Sequence, residues 1–374
     1  MKKPQKVALV CDWLTELGGG ERVIRAIHEM YPEAPIYTSQ YRPERAPWFD
    51  DATVKTGWLN HLPVGLRRFV PFLRQWYFSR LDLTEYDLVI SITGAEAKAV
   101  KTRDDALHVS YIHAPTQYYW TLYDDYIKNP GFGVLNPLAR VGLKLLVKPL
   151  RKADLIAAKR PDVIVVPSSY IKDEVKECYE RDSRVVYPCV DVDGVSTLAS
   201  RANKSKREGY IVYGRQVSWK RFDLAIEAVK QTGDKLLVIG DGPERGSLEA
   251  LADGADNITF LPRYNGIGEI VERICSSKAF LFTSLEPFGI APVEALACGT
   301  PVIGLHHAGA LDIVQDGKNG LFFDEQSVES LVGAMKRFDK TKFDEAKVIR
   351  SAQRFSEDKF KDSMRAVIEQ ELGG

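Results

Sequence analysis

Two glutamates, Glu286 and Glu294, bracket the segment Pro287-Phe288-Gly289-Ile290-Ala291-Pro292-Val293. An expected strand, Ala279–Thr283, precedes them. An expected helix follows and runs to Cys298, where Gly299 stops it and Pro301 begins the next strand. The backbone N–H groups of Gly289 and Ile290 open that helix, and a helix start attracts an anion. Carboxylates accept hydrogen bonds from vicinal hydroxyls. Glu286 before the helix and Glu294 inside it could therefore hold a sugar and a ribose on either side of a phosphate. The plain alternative is two unrelated glutamates, and the Pro-Phe-Gly between them argues against it. A second set is cationic. Gly214-Arg215 ends an expected strand, Gly209–Tyr213, and Lys220 and Arg221 follow closely. Arg suits a forked contact to phosphate and Lys acts as a point charge. A solvated loop is the alternative here.

Two further features lie in the first half of the chain. Gly18-Gly19-Gly20-Glu21 follows the expected strand Val7–Cys11 and opens a helix with Val23, Ile24, Ile27 and Met30 on one face. Glycines let a ligand approach the backbone, although a tight strand-to-helix turn would use them equally. His113 in Tyr111-Ile112-His113-Ala114-Pro115 ends another strand and would point toward a ligand site, or be structural. The neighbouring Tyr118, Tyr119 and Trp120 suit core packing and sugar stacking alike.

The elements that must position these residues alternate short β-branched runs with amphipathic helices. The first set of strands is Val7–Cys11, Leu88–Ser91, His108–Ile112, Val163–Val166 and Val185–Tyr187. The second is Gly209–Tyr213, Leu236–Ile239, Ile258–Leu261, Ala279–Thr283, Pro301–Gly304 and Gly320–Phe323. Such runs predict two parallel, doubly wound sheets, with ligands beyond the carboxyl ends of the strands. Two such sheets facing each other would put a cleft between them. The polar stretch Asp191–Glu208 reads as the linker. The expected domains are residues 1–190 with 355–374, and 191–354; a final helix is expected over Ser356–Leu372 with Ser356 as its cap.

The 374 residues exceed what one core usually holds. Lys plus Arg number 51 and Asp plus Glu 51, so no broad basic surface suggests nucleic-acid binding. Five scattered cysteines form no metal-ligand cluster and fit a reducing compartment. No apolar run is long enough for a signal peptide core or a membrane span, so a cytoplasmic protein is expected.

Taken together, these residues resemble the retaining glycosyltransferase family 4, of GT-B architecture, over nearly the whole chain. Gly18–Arg22, His113, Gly214-Arg215 with Lys220, Gly240-Asp241-Gly242-Pro243 and Glu286 to Glu294 occur in the family's order and spacing. Cys11-Asp12-Trp13-Leu14, the glycine loop and Tyr111–Pro115 with Trp120 are similar to the mannosyltransferases of bacterial O-antigen and exopolysaccharide assembly. The resemblance implies a metal-independent, retaining hexosyltransferase with no cofactor beyond its nucleotide-sugar donor. GDP-mannose is the first donor it implies, with UDP-sugars next, and a sugar-nucleotide 2-epimerase is the rival. The acceptor would be a saccharide or a lipid-linked saccharide in cell-surface polysaccharide synthesis.

The resemblance also implies roles. Gly19 and Gly20 would approach the donor by backbone, and His113 would hydrogen-bond the donor sugar. Arg215 and Lys220 would neutralise the diphosphate. Glu286, with the Phe288, Gly289 and Ile290 backbone, would hold sugar hydroxyls, and Glu294 the ribose. The C-terminal helix would cross back to the N-terminal domain. The sequence departs from the family pattern at Gln117, Ser168-Ser169, Ala308-Gly309 and Asp312.

A last pattern is basic and amphipathic. Arg140, Lys144, Lys148 and Lys152 recur every four residues after Asn136-Pro137, among Leu138, Val141, Leu145, Leu146 and Leu150. A second such stretch, Leu66–Leu81, includes Arg67, Arg68, Phe69, Phe72, Arg74, Trp76 and Phe78, and Pro149 and Pro71 weaken both as long helices. An ordinary solvated face and a peripheral contact with anionic lipid on the inner face of the cell membrane both fit.

Overall fold

Short runs buried on both faces form strands here, as parallel sheets require. The computed structural model describes residues 4, 6–64, 71–128, 136–202, 207–262, 266 and 268–373. Seven strands make the first sheet: β1 (Val7–Cys11), β2 (Ile36–Thr38), β3 (Val54–Thr56), β4 (Leu88–Thr93), β5 (Leu107–Ile112), β6 (Val163–Val166) and β7 (Arg184–Val185). Their order is β3-β2-β1-β4-β5-β6-β7, and every pairing is parallel. Six strands make the second: β8 (Tyr210–Tyr213), β9 (Leu236–Ile239), β10 (Ile258–Leu261), β11 (Ala279–Phe282), β12 (Val302–Leu305) and β13 (Gly320–Phe323). Their order is β10-β9-β8-β11-β12-β13, again parallel throughout.

Strand order reverses between β1 and β4 in one sheet and between β8 and β11 in the other. Such switch points leave a crevice at the strands' carboxyl ends, where ligands of doubly wound sheets bind. Both sheets are therefore Rossmann-like. The chain divides into two compact units, Met1–Tyr187 with Lys361–Gly374, and Pro188–Phe360.

The final helix, Glu357–Gly373, starts beside Ser356, whose Oγ accepts a bond from Lys359 N at 3.4 Å. Its residues from Lys361 onward belong to the first unit. There Lys361 Nζ lies 2.7 Å from Glu29, and Arg184 donates to Gln370 at 2.9 Å and pairs with Glu371.

Three expectations need correction. Asp191–Glu208 is not a linker throughout, because Val192–Arg201 is a helix; residues 203–206 lie outside the described residues. Asp191 caps it by accepting from Gly194 N at 2.9 Å, and Val192, Val195 and Ala199 are buried at helical spacing. The polar majority of that stretch conceals this narrow apolar stripe. Two strands, β2 and β3, escaped the reading because each has only three residues. Pro149 also sits inside one continuous helix, Asn136–Ala158. Proline removes the donor to the carbonyl four residues earlier. That carbonyl belongs to Leu145, which is exposed, so water can satisfy it.

Candidate functional site

The second unit gathers most of the candidate residues at its switch point. Gly214 and Arg215 leave β8, and the short turn Ser218–Lys220 brings Lys220 back toward the strand end. Lys220 O accepts from Thr283 Oγ1 at 2.9 Å, which ties this turn to the loop after β11. On that loop Glu286 Oε2 lies 2.6 Å from Lys220 Nζ, and Ser284 Oγ bonds the other carboxylate oxygen. A Cβ on Gly214 would sit 3.8 Å from Lys220 Nζ, so Gly214, Lys220 and Glu286 share one place. The Arg215 side chain is exposed beside them.

The helix Ile290–Ala297 then starts at Gly289, as expected. Gly289 has φ +115°, a conformation that strongly favours glycine, and a Cβ there would meet Phe282 Cζ at 2.6 Å. Phe288 is buried, with its ring against Phe355 at 5.3 Å. Gly309 N donates to Glu286 O at 3.0 Å, and a Cβ on Gly309 would lie 2.5 Å from Phe288 Cα. Only a residue without a side chain lets these two loops touch backbone to backbone. This accounts for the glycine in Ala308-Gly309; Ala308 itself takes φ +52°. Glu294 is buried within the same helix and accepts from the Tyr213 hydroxyl at the end of β8. Ala291 O lies 3.2 Å from the same hydroxyl. The sequence reading did not single out Tyr213, Ser284 or Thr283, whose roles depend on which strand lies next to which.

In the first unit, the glycine loop forms the start of the helix Gly19–Met30 with Gly18 as its cap. A Cβ on Gly20 would lie 3.2 Å from His113 Nε2, and one on Gly94 would lie 3.9 Å from His113 Cβ. His113 thus stands between the loops after β1 and β4, with its own N–H bonded to Thr93 O at 2.8 Å. Burial pushes its imidazole down to about 4, against the opposing charge of Asp12, so it is neutral at physiological pH.

The sequence gives Asp12 no role beyond its place in Cys11-Asp12-Trp13-Leu14, yet its carboxylate organises the loop after β4. Its carboxylate accepts from Thr93 Oγ1 and from four consecutive backbone N–H groups, those of Gly94, Ala95, Glu96 and Ala97, at 2.8–3.1 Å. Two buried ion pairs support the same loop. Arg74 holds Glu96 through two bonds of 2.8 and 3.2 Å and also reaches the Tyr118 hydroxyl at 3.0 Å. Burial raises the Glu96 pKa, and Arg74 opposes that shift. Lys98 lies 2.7 Å from Asp154, which also accepts from Thr116, Trp120 and Tyr179 at 2.8–3.0 Å. The Tyr118 and Tyr119 hydroxyls, on Glu96, and the Trp120 indole, on Asp154, therefore belong to these networks. Ser168 caps the helix Ser169–Tyr179 by accepting from Ile171 N at 3.2 Å.

The amphipathic stretches form a separate surface of this unit. Leu138, Val141, Leu145 and Leu146 are exposed on the first half of the helix Asn136–Ala158, among exposed Arg140, Lys144 and Lys148. The helix Pro71–Arg80 packs beside it and exposes Phe72 and Trp76, with Trp58 edge-on to Trp76 at 6.2 Å. Leu66, Arg67, Arg68 and Phe69 lie outside the described residues. Among the described residues, no helix is long and apolar enough to cross a membrane, and no group of three His, Cys, Asp or Glu side chains could hold a metal ion.

Comparison with known proteins agrees with this geometry. Residues 197–357 match the family model of the glycosyl transferases group 1. The chain is 26% identical to the alpha-1,3/1,6-mannosyltransferase alg2 of Schizosaccharomyces pombe, over 85% of this chain and 71% of that protein. It is 27% identical to a GDP-mannose-dependent alpha-(1-6)-phosphatidylinositol monomannoside mannosyltransferase of Mycobacterium tuberculosis, over 46% of this chain and 51% of that one. It thus spans about half the length of this second relative. Among solved structures, a lipopolysaccharide outer core galactosyltransferase superposes with a TM-score of 0.70 at 18% identity, covering 98% of this chain and 100% of that one. Anabaena HepE in complex with UDP and glucose gives a TM-score of 0.67 at 17% identity, covering 97% and 99%. At such identities the likeness shows the fold. The two Rossmann-like units have the GT-B fold, and residues 197–357 are similar to the glycosyl transferases group 1.

Proposed function

We propose that this chain is a retaining, metal-independent hexosyltransferase that takes mannose from GDP-mannose, with a UDP-sugar as the second choice of donor. The acceptor on this reading is a saccharide or lipid-linked saccharide of cell-surface polysaccharide synthesis. The observation that carries the proposal is the 2.6 Å pairing of Lys220 with Glu286 on the loop that leads into the helix start at Gly289. The names of the two mannosyltransferase relatives favour mannose, and one of them names GDP-mannose as its donor.

In the reaction, the bond from the anomeric carbon to the diphosphate oxygen breaks and its electron pair leaves with the diphosphate. Lys220, Arg215 and the N–H groups of Gly289 and Ile290 offset that developing charge, as preorganised donors do. These groups supply the positive charge that a divalent ion would otherwise bring. The acceptor hydroxyl oxygen bonds the same face of the anomeric carbon, and its proton passes to the departing phosphate. Glu286 holds sugar hydroxyls, and Glu294 the ribose. His113, as a neutral imidazole, hydrogen-bonds the donor sugar, and Gly19 and Gly20 admit the donor to the backbone. The exposed apolar and basic surface around Leu145 and Trp76 would seat the protein on anionic lipid beside a lipid-linked acceptor.

Thermal-shift screening against nucleotide sugars, followed by transfer assays with NMR of the product anomer, tests the reading. GDP-mannose should give the largest shift, the product should keep the donor's anomeric configuration, and a chelator should leave the rate unchanged. An inverted product, a chelator-sensitive rate, or sugar interconversion without acceptor would each overturn it. Flotation with anionic vesicles tests the lipid surface, and Leu145→Glu should abolish the binding.

A further inference from the structure

We infer that Asp12 is the positioning residue for His113, an inference that rests on the proposed transferase reading for the reaction it serves. Asp12 is the first residue after β1, and it faces the loop after β4 across the switch point. Its Oδ1 accepts from Thr93 Oγ1 at 3.0 Å, Glu96 N at 2.9 Å and Ala97 N at 2.8 Å. Its Oδ2 accepts from Thr93 Oγ1 at 2.9 Å, Gly94 N at 2.9 Å and Ala95 N at 3.1 Å. Four consecutive N–H groups aimed at one point make an anion nest. Here the anion comes from the chain itself, so the nest serves as an internal clamp.

The clamp ends on His113. The residue at the root of the clamped loop, Thr93, accepts the His113 N–H at 2.8 Å, and Gly94 faces the His113 side chain. On the other side of the imidazole stands Gly20. Asp12 also fixes the start of the β1 loop, since its own carbonyl accepts from Ser39 N at 3.3 Å. One carboxylate therefore sets the spacing between the two loops that enclose His113. Asparagine cannot do this. Its amide nitrogen is a donor and would face two of the four N–H groups. The neighbouring ion pairs, Arg74–Glu96 and Lys98–Asp154, brace the same loop.

A double-mutant cycle on the full-length protein tests this. Asp12→Asn should lower kcat at least tenfold, while nucleoside diphosphate affinity, which depends on the second unit, stays within twofold. In a His113→Ala background, Asp12→Asn should cost less than threefold, because its effect passes through His113. The His113 ring cross-peak, assigned by its loss in His113→Ala, should move in the carbon–proton spectrum of Asp12→Asn. Asp12→Glu, which keeps the charge, should recover part of the rate. Should Asp12→Asn fail to fold, Thr93→Val removes one arm of the clamp and carries the same cycle. Losses that multiply independently, or an unmoved His113 cross-peak, would overturn the inference. A wild-type protein inactive with every nucleotide sugar would instead overturn the transferase reading, and the ring cross-peak would still decide the role of Asp12.

Discussion

Replacing Lys220 by alanine removes the cation that stands 2.6 Å from Glu286 Oε2. Both side chains are 19% exposed, so the pair is shielded from solvent without being fully buried. A charge-assisted hydrogen bond in such a place contributes about 1.5–3 kcal/mol. Losing a donor aimed at charge that develops in the transition state costs about 2.7–4 kcal/mol. The two ranges meet near ~3 kcal/mol, which corresponds to roughly a hundredfold in rate. Alanine also leaves Glu286 without the counter-charge of Lys220, and on the proposed reading that uncompensated carboxylate repels an anionic donor, so donor affinity should fall together with kcat. Glu286→Gln placed on Lys220→Ala should therefore recover part of the lost affinity. Steady-state transfer kinetics and calorimetric titration with nucleoside diphosphate measure both effects. A Lys220→Ala protein within threefold of wild-type kcat/KM would refute the charge argument.

Three other expectations follow from the geometry. Asp154→Asn strips the counter-ion from Lys98, which is 1% exposed, and unpairing a buried charge costs about 3–5 kcal/mol. Urea unfolding of the first unit should show that loss, and a change below 1 kcal/mol would contradict it. Gly309→Ala places a Cβ against the Phe288 backbone, so the loop carrying Gly289 must move. Stability should fall by about 1–3 kcal/mol, with donor affinity falling alongside, and unchanged nucleotide binding would argue against the loop contact. Burial lowers His108 from the ordinary 6.5 to about 3 and His113 to about 4, so the unfolded chain binds more protons than the native one between those limits. The stability these neutral imidazoles confer is complete above pH 6.5 and is lost as pH falls toward 4 and then 3. Each contributes up to about 1.4 kcal/mol per pH unit. His108→Asn, remote from the ligand loops, should flatten the slope of stability against pH by that amount, as denaturation at several pH values would show.

The amino-acid pattern alone determined that two parallel sheets exist and where their long central strands run. β1, β6, β9, β10 and β13 match the expected bounds residue for residue. Continuous β-branched runs bounded by glycine or proline leave few other outcomes in a chain of this length. It also picked out Lys220, Glu286, Gly289 and Glu294, because a strand followed by a glycine-opened helix has a recognisable order of residues. What it missed depends on neighbours in space. Asp12 is one polar residue of Cys11-Asp12-Trp13-Leu14 until β1 lies beside β4, when four N–H groups from residues 94–97 close on it. Tyr213 is a strand tyrosine until β8 lies beside β11, which brings it to Glu294. The helix Val192–Arg201 has too few apolar positions to stand out from its polar surroundings, and burial in the second unit supplies the stabilisation that its composition lacks. Local order along the chain sets which elements form; the pairing of strands distant in sequence decides which polar side chains meet, and here that pairing builds the supports around each candidate residue.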